Sequence, residues 1–272
     1  MNGAHSLLAT LVGSGVDVCF ANPGTSEMHF VAALDGVPAM RPVLTLFEGT
    51  ATGAADGYAR MADRPAAVLL HLGPGLGNGF ANLHNARRAG SGVVTVVGEH
   101  ATGHQRYDAP LQSDIAVVAG AVSAWVRTSS TPADVGRDAA DAVAAARAGR
   151  VATLVLPADV SWSDGGRPAD PAPVPDRPAP DPAALAAAAD ALRSGEPTLL
   201  LLGGDACRAD GLAAASRIAA ATGARMLTET FPARLQRGAG IAPVGRLGYV
   251  VEQAQHQLAG LRHLVLLGAR AP

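Results

Sequence analysis

The chain alternates short apolar runs, rich in valine, leucine and alanine, with longer segments whose apolar positions recur every three or four residues. The first pattern marks buried strands and the second marks helices with one apolar stripe. In chain order it predicts a helix over 3–13, a strand over 16–20, a helix starting near Ser26, a strand over 42–47 and a helix over 50–61. A strand over 66–71, a helix over 77–89 and a strand over 93–98 follow. An irregular stretch over 99–113 then leads to a short helix over 115–119, a strand over 124–127, a helix over 132–148 and a strand over 152–157. Strands that are apolar throughout and alternate with helices predict a parallel sheet covered on both faces. The expected fold class is α/β, a doubly wound parallel sheet, in a first domain over 1–162.

Between Ser163 and Pro182 the pattern breaks, with Pro168, Pro171, Pro173, Pro175, Pro178, Pro180 and Pro182 spaced by alanine and aspartate. Such a run holds neither a helix nor a central strand, so 163–182 reads as an extended linker. Beyond it a helix over 182–194, a strand over 198–203, a helix over 209–222 and strands over 225–228 and 263–268 predict a second, Rossmann-like α/β domain over 183–272. This domain is expected to be incomplete, because the sequence stops just after a strand and leaves a sheet edge to be covered.

Composition narrows the classes. A length of 272 residues gives each domain enough chain to bury a core. A formal net charge of −2 supplies no field for nucleic acid or an anionic membrane, so neither is expected as a partner. Cys19 and Cys207 lie far apart on or beside apolar strands and read as buried thiols in a reducing compartment. The N-terminus has no basic region before its apolar stretch, and the apolar runs are strand-length, so a cytoplasmic protein is expected.

The acidic residue placed for chemistry is Glu48, delivered from the apolar stretch Leu44-Thr45-Leu46-Phe47 straight into a helix start. The carboxyl end of a buried strand is where open α/β sheets place ligand crevices, which makes Glu48 an acid/base candidate. A helix N-terminal charge complementing the macrodipole is the plainer alternative. His71 ends an apolar strand, either as a satisfied strand-end residue or as a proton-transfer group. Thr25 and Ser26 read locally as a helix N-cap with Glu27 in the first turn. The run Gly73-Pro74-Gly75-Leu76-Gly77-Asn78-Gly79 fails the dinucleotide fingerprint, since the third glycine position falls on Asn78 or Phe80, and a tight turn is expected there. His100 and His104 are spaced i, i+4, yet Gly103 argues against a helix and no further Cys/His cluster lies near, so no protein-held metal is expected.

Three segments together carry a resemblance: Asn22-Pro23-Gly24-Thr25-Ser26-Glu27; then Glu48 with Gly53-Ala54-Ala55-Asp56-Gly57-Tyr58-Ala59-Arg60; then Gly73-Pro74-Gly75-Leu76-Gly77-Asn78. Their order resembles the pyrimidine-binding domain of thiamine-diphosphate-dependent 2-oxoacid enzymes, among them acetolactate synthase large subunits and benzoylformate decarboxylase. The similarity runs from about Asn2 to Trp162 and continues more weakly. It implies thiamine diphosphate as cofactor, with Glu48, Pro23, Gly24, Gly73, Pro74, Gly75 and Asn78 around the pyrimidine. It further implies that the Glu48 carboxyl bonds the ring nitrogen N1′ and promotes the tautomer that removes the cofactor's C2 proton.

The same resemblance makes His71 a second catalytic group, at a position where benzoylformate decarboxylase carries a histidine and acetolactate synthases usually carry a small polar residue. It places Thr25, Ser26 and Gln112 toward a small 2-oxoacid substrate. It implies a homodimer or homotetramer with the active site at a subunit interface, and Mg²⁺ bound by a diphosphate domain that is marked in the family by Gly-Asp-Gly. No Gly-Asp-Gly occurs here, and Gly203-Gly204-Asp205-Ala206 is the nearest string. The expectation is therefore a fragment or half of a split enzyme, inactive as an isolated chain. The expected reaction is decarboxylation with acetolactate-synthase-like carboligation; a benzoylformate-type decarboxylase and a catalytically silent partner subunit are the alternatives. Bound flavin finds no support in the residues present.

Overall fold

The computed structural model describes residues 1–176 and 178–272 and divides into two compact units, Met1–Pro175 and Asp176–Pro272. Arg177, inside the proline-rich stretch, lies outside the described residues.

The first unit is a doubly wound α/β layer. Its helices are α1 (Gly3–Gly13), α2 (Met28–Leu34), α3 (Glu48–Ala62), α4 (Leu72–Ala89), α5 (Ile115–Gly120), α6 (Val135–Arg147) and α7 (Ala158–Trp162). Its strands are β1 (Val18–Asn22), β2 (Arg41–Leu44), β3 (Ala66–Leu70), β4 (Val93–Glu99), β5 (Trp125–Thr128) and β6 (Val151–Pro157), in the order β2-β1-β3-β4-β6-β5 with every pairing parallel. β3, β4 and β6 are buried along their whole length, which is why their sequences read as unbroken apolar runs. Two apolar layers follow. One packs Leu7, Leu8, Leu11, Phe30 and Val143 against Leu69, Val96 and Leu154, and the other packs Leu76, Leu83 and Ile115 against Val68, Leu70 and Val97.

The order reverses between β1 and β3: β2 lies on one side of β1, and β3, β4, β6 and β5 run outward on the other. In open parallel sheets the loops leaving the carboxyl ends of the two strands at such a switch point diverge and leave a crevice. The loop after β1 and the start of α4 after β3 flank that point.

Several boundaries differ from the sequence expectation. β2 stops at Leu44, and Glu48 is already the first residue of α3. The glycine-rich run is not a turn, because α4 begins at Leu72 and carries Gly73, Gly75, Gly77 and Gly79 within it. Its glycines serve packing: a Cβ on Gly79 would come within 2.8 Å of Thr52 Cγ2, and one on Gly53 of α3 within 2.9 Å of the Asn82 side chain. Small residues on both helices thus permit a close crossing, tied by Thr52 Oγ1 donating to Gly79 O at 3.1 Å and Asn82 Nδ2 donating to Gly49 O at 2.7 Å. Pro74 sits in the first turn of α4, where its missing N–H has no intrahelical partner to lose.

The stretch 163–181 holds no helix or strand among its described residues, but its first part is bonded to the first unit. Ser6 Oγ donates to Arg167 O at 2.8 Å, Ala169 N–H donates to Thr10 Oγ1 at 3.1 Å, and Gly166 N–H donates to Met1 O at 2.9 Å.

The second unit contains α8 (Pro182–Arg193), β7 (Thr198–Leu202), α9 (Ala209–Thr222), β8 (Arg225–Thr228), β9 (Gly245–Arg246), α10 (Val251–Leu258) and β10 (His263–Leu267). Its parallel sheet has the order β10-β7-β8-β9, with fully buried β7 next to β10 and β8. β9 and α10 are short, and the sequence pattern did not predict them. Cys207 and Cys19 are free, buried thiols, and burial pushes Cys19 up to about 12 and Cys207 up to about 11.

Candidate active site

Glu48 is the first residue of α3, with Phe47 as the N-cap, so its carboxylate lies at the positive end of the helix dipole. It is buried, and Asn78 Nδ2 of α4 donates to its Oε2 at 3.0 Å. The other oxygen, Oε1, lies close over Gly75, where a Cβ would come within 3.2 Å of it. The residues just before Glu48 face outward, with Leu44, Leu46 and Phe47 at 73%, 93% and 50% exposure. The loop bearing them is fixed by Asn22 Nδ2, which donates to Thr45 O at 2.8 Å, and by the Thr45 N–H, which donates to Ala21 O at 2.9 Å. Glu48 is therefore a fixed, desolvated carboxylate on the rim of an apolar surface.

His71 follows β3 and is the N-cap of α4. Its Nδ1 lies 2.7 Å from Glu27 Oε2, with side-chain exposures of 24% for the histidine and 1% for the glutamate. The Gly24 N–H donates to the same Glu27 oxygen at 2.8 Å, so the Glu27 side chain reaches back to cap the 3₁₀ turn Thr25–Glu27. Gly24 carries no side chain, and it could not: a Cβ there would lie 2.4 Å from the His71 ring. Leu72, the next residue, has φ +53 with a buried side chain. A leucine in the left-handed region costs about 1–2 kcal/mol, and its burial among core side chains sustains it. The His71 carbonyl accepts from the Gly75 N–H at 2.8 Å, so the turn that sets His71 also sets the glycine beneath Glu48.

The remaining predicted residues lie around this point. Thr25 and Ser26 sit in the 3₁₀ turn; Gly24, and not either hydroxyl residue, is its N-cap. Pro23 and Gly24 form the link from β1 to that turn. Gly73 faces the loop before α5, where a Cβ would strike Ser113 Oγ at 2.2 Å, so Gln112-Ser113 packs on the first turn of α4. Gln112 Oε1 is buried with no hydrogen-bond partner among the described residues. The Gly53–Arg60 run after Glu48 is structural: Asp56, nearly buried, pairs with Arg60 at 2.6 Å one turn on. At the end of β4, burial pushes the Glu99 carboxyl up. The rings of His100 and His104 are 5.7 Å apart.

Sequence reasoning did not single out Glu27, Leu72 or Gly98 as site residues. Glu27 carried a usable signal, an acidic residue three positions after Gly24, but its partner His71 is separated by 44 positions. A Cβ on Gly98 would fall 1.6 Å from Glu27 Oε1, so the buried glutamate needs a glycine on β4 as well.

The residues present fit one end of a thiamine cofactor. An aminopyrimidine requires a buried carboxyl beside a surface free of side chains, and Glu48 above Gly75 supplies both. Among the described residues no group of three or more His, Cys, Asp or Glu is placed to hold a metal ion. No helix among the described residues is long and apolar enough to cross a membrane.

The family described as "Thiamine pyrophosphate enzyme, N-terminal TPP binding domain" matches residues 1–119. A Mycobacterium tuberculosis protein, provisionally named acetolactate synthase large subunit IlvX, is 66% identical over 273 residues, covering 100% of this chain and 53% of the relative. The chain thus spans about half the length of that relative. The benzoylformate decarboxylase of Pseudomonas aeruginosa is 40% identical over 85 residues, covering 31% of this chain and 16% of its own length. Among solved structures, a thiamine diphosphate-dependent 4-hydroxybenzoylformate decarboxylase of Rhodococcus jostii RHA1 superposes with a TM-score of 0.85 at 22% identity, over 99% of this chain and 52% of that one. At that identity the likeness establishes the fold.

Proposed function

The chain belongs to the thiamine-diphosphate-dependent 2-oxoacid enzyme family, and from that premise we propose that its first unit serves the aminopyrimidine half of the cofactor in decarboxylating a 2-oxoacid, with acetolactate-synthase-like carboligation. The observation that carries the reading is the buried Glu48 carboxylate, fixed by Asn78 above the bare surface of Gly75. When bound, thiamine diphosphate would supply the carbon nucleophile that attacks the 2-oxoacid carbonyl and the electron sink for the departing carboxylate. Glu48 would hold a proton at the ring nitrogen facing it, and its desolvated setting strengthens that hydrogen bond. Asn78 keeps the carboxylate from rotating away. Gly75 leaves the space beside the Glu48 carboxyl free of a side chain, Gly24 and Gly73 clear the His71 ring and Ser113 around it, and His71, Thr25, Ser26 and Gln112 would face the substrate.

Mg²⁺ and the diphosphate would be held by a diphosphate-binding domain, as the family resemblance implies. The exposed Leu44, Leu46 and Phe47 beside Glu48 support a site completed by a second subunit, in a cytoplasmic homodimer or homotetramer. A second reading, a benzoylformate-type decarboxylase, is favoured by His71, whose fixed ring could return a proton to the product-forming carbon. The test is product analysis with pyruvate and with benzoylformate, using this chain with thiamine diphosphate, Mg²⁺ and a polypeptide supplying a diphosphate-binding domain. Acetolactate from pyruvate supports carboligation, and aldehyde supports the second reading. Cofactor binding without turnover of either acid would instead fit a silent partner subunit.

A further inference from the structure

Glu27 is the most buried carboxylate beside the candidate site, and the acid/base reading of Glu48 leaves it without a role. Its Oε2 accepts from the Gly24 N–H and lies 2.7 Å from His71 Nδ1. Its Oε1 is buried with no partner among the described residues, against the backbone of Gly98. Three glycine-dependent or strained features converge on this pair. Gly98 clears the carboxylate, Gly24 clears the imidazole, and the left-handed Leu72 sets the backbone just after the histidine. A helix cap alone explains one oxygen of Glu27 and none of the clearances around the ring.

We infer that Glu27 is a positioning residue that fixes the tautomer and plane of His71. Glu27 Oε2 already accepts from the Gly24 N–H, and as an acceptor toward the ring it places the proton of the neutral imidazole on Nδ1. Nε2, which has no hydrogen bond within the protein among the described residues, is then the nitrogen left to accept or return a proton at the 2-oxoacid. A histidine free of such a partner favours the opposite tautomer in water, with the proton on Nε2. Glu27 therefore decides which nitrogen meets the substrate. The catalytic half of this inference rests on the proposed function, whereas the tautomer half does not.

The test separates the two. In ¹⁵N-labelled chain, long-range ¹H–¹⁵N correlation spectra identify the His71 signals by their loss in His71→Gln, with no cofactor or turnover needed. The expected result is Nδ1–H in the wild type and a shift toward Nε2–H in Glu27→Ala. Wild-type His71 already protonated on Nε2, or an unchanged tautomer in Glu27→Ala, would overturn the inference. Should Glu27→Ala fail to fold, Glu27→Asp draws the carboxylate back by one methylene while keeping its charge, and the same shift is expected. In the reconstituted enzyme, Glu27→Ala should lower kcat about 100-fold with KM little changed, the lower end of what a placed proton-transfer group contributes. That loss should vanish in a His71→Ala background. An undiminished second loss there would mean that Glu27 acts independently of His71.

Discussion

The side-chain amide of Asn78 donates to Glu48 Oε2 at 3.0 Å, joining α4 to the first residue of α3 across 30 positions of sequence. A hydrogen bond to a charged group is worth about 1.5–3 kcal/mol. Asn78→Asp replaces that donor with a like charge beside the carboxylate, and turnover of the reconstituted enzyme is expected to fall at least about tenfold. Asn78→Ala should fall less. Steady-state kinetics of the two variants checks the order.

Gly75 and Gly79 both face α3, yet they should answer differently to alanine. At Gly75 a Cβ would meet Glu48 Oε1 at 3.2 Å and little else at closer range. Gly75→Ala is therefore expected to leave stability within about 1 kcal/mol, since alanine's helix propensity offsets the crowding, while activity drops. At Gly79 a Cβ would sit 2.8 Å from the Thr52 methyl, inside a packed crossing. Gly79→Ala should cost about 1–3 kcal/mol by overpacking. Denaturant unfolding beside a turnover assay separates the two outcomes.

The buried thiols should be inert. Desolvation pushes Cys19 up to about 12 and Cys207 up to about 11 from an ordinary 9.0, so neither is a thiolate near neutral pH in the folded chain. Native protein at pH 8 should not react with a thiol-specific disulfide reagent, and both thiols should react after unfolding. Because the folded values lie above the unfolded ones, these groups favour the folded state fully below pH 9.0 and lose that contribution as the pH rises toward about 11 and 12. Unfolding free energies measured from pH 8 upward should fall accordingly.

The α/β class was legible because buried parallel strands leave an unmistakable apolar signature, as in Val93–Glu99 and Val151–Pro157. The candidate site's carboxylate stood out in the sequence too, since Glu48 interrupts an apolar run. What misled was apolarity and glycine taken out of context. Leu46 and Phe47 look like strand residues, but they are exposed, and periodicity cannot tell an exposed apolar position from a buried one. Gly73 to Gly79 look like a turn because glycine is permissive; here its small size lets α4 approach Glu48 and α3. The Glu27–His71 pair was invisible because it is made across the β1/β3 switch point, by topology and not by spacing. The left-handed Leu72 breaks the preference of its own residue type, so no local rule could have placed it.

Glu48 is proposed to hold or move the proton that activates the cofactor. The most direct measurement is the rate of hydrogen–deuterium exchange at the cofactor's C2 position, followed by rapid quench and NMR, for this chain reconstituted with a diphosphate-binding domain. Glu48→Gln is expected to bind the cofactor and slow that exchange by at least about 100-fold. Exchange at the wild-type rate in Glu48→Gln, with the cofactor demonstrably bound, would contradict the account.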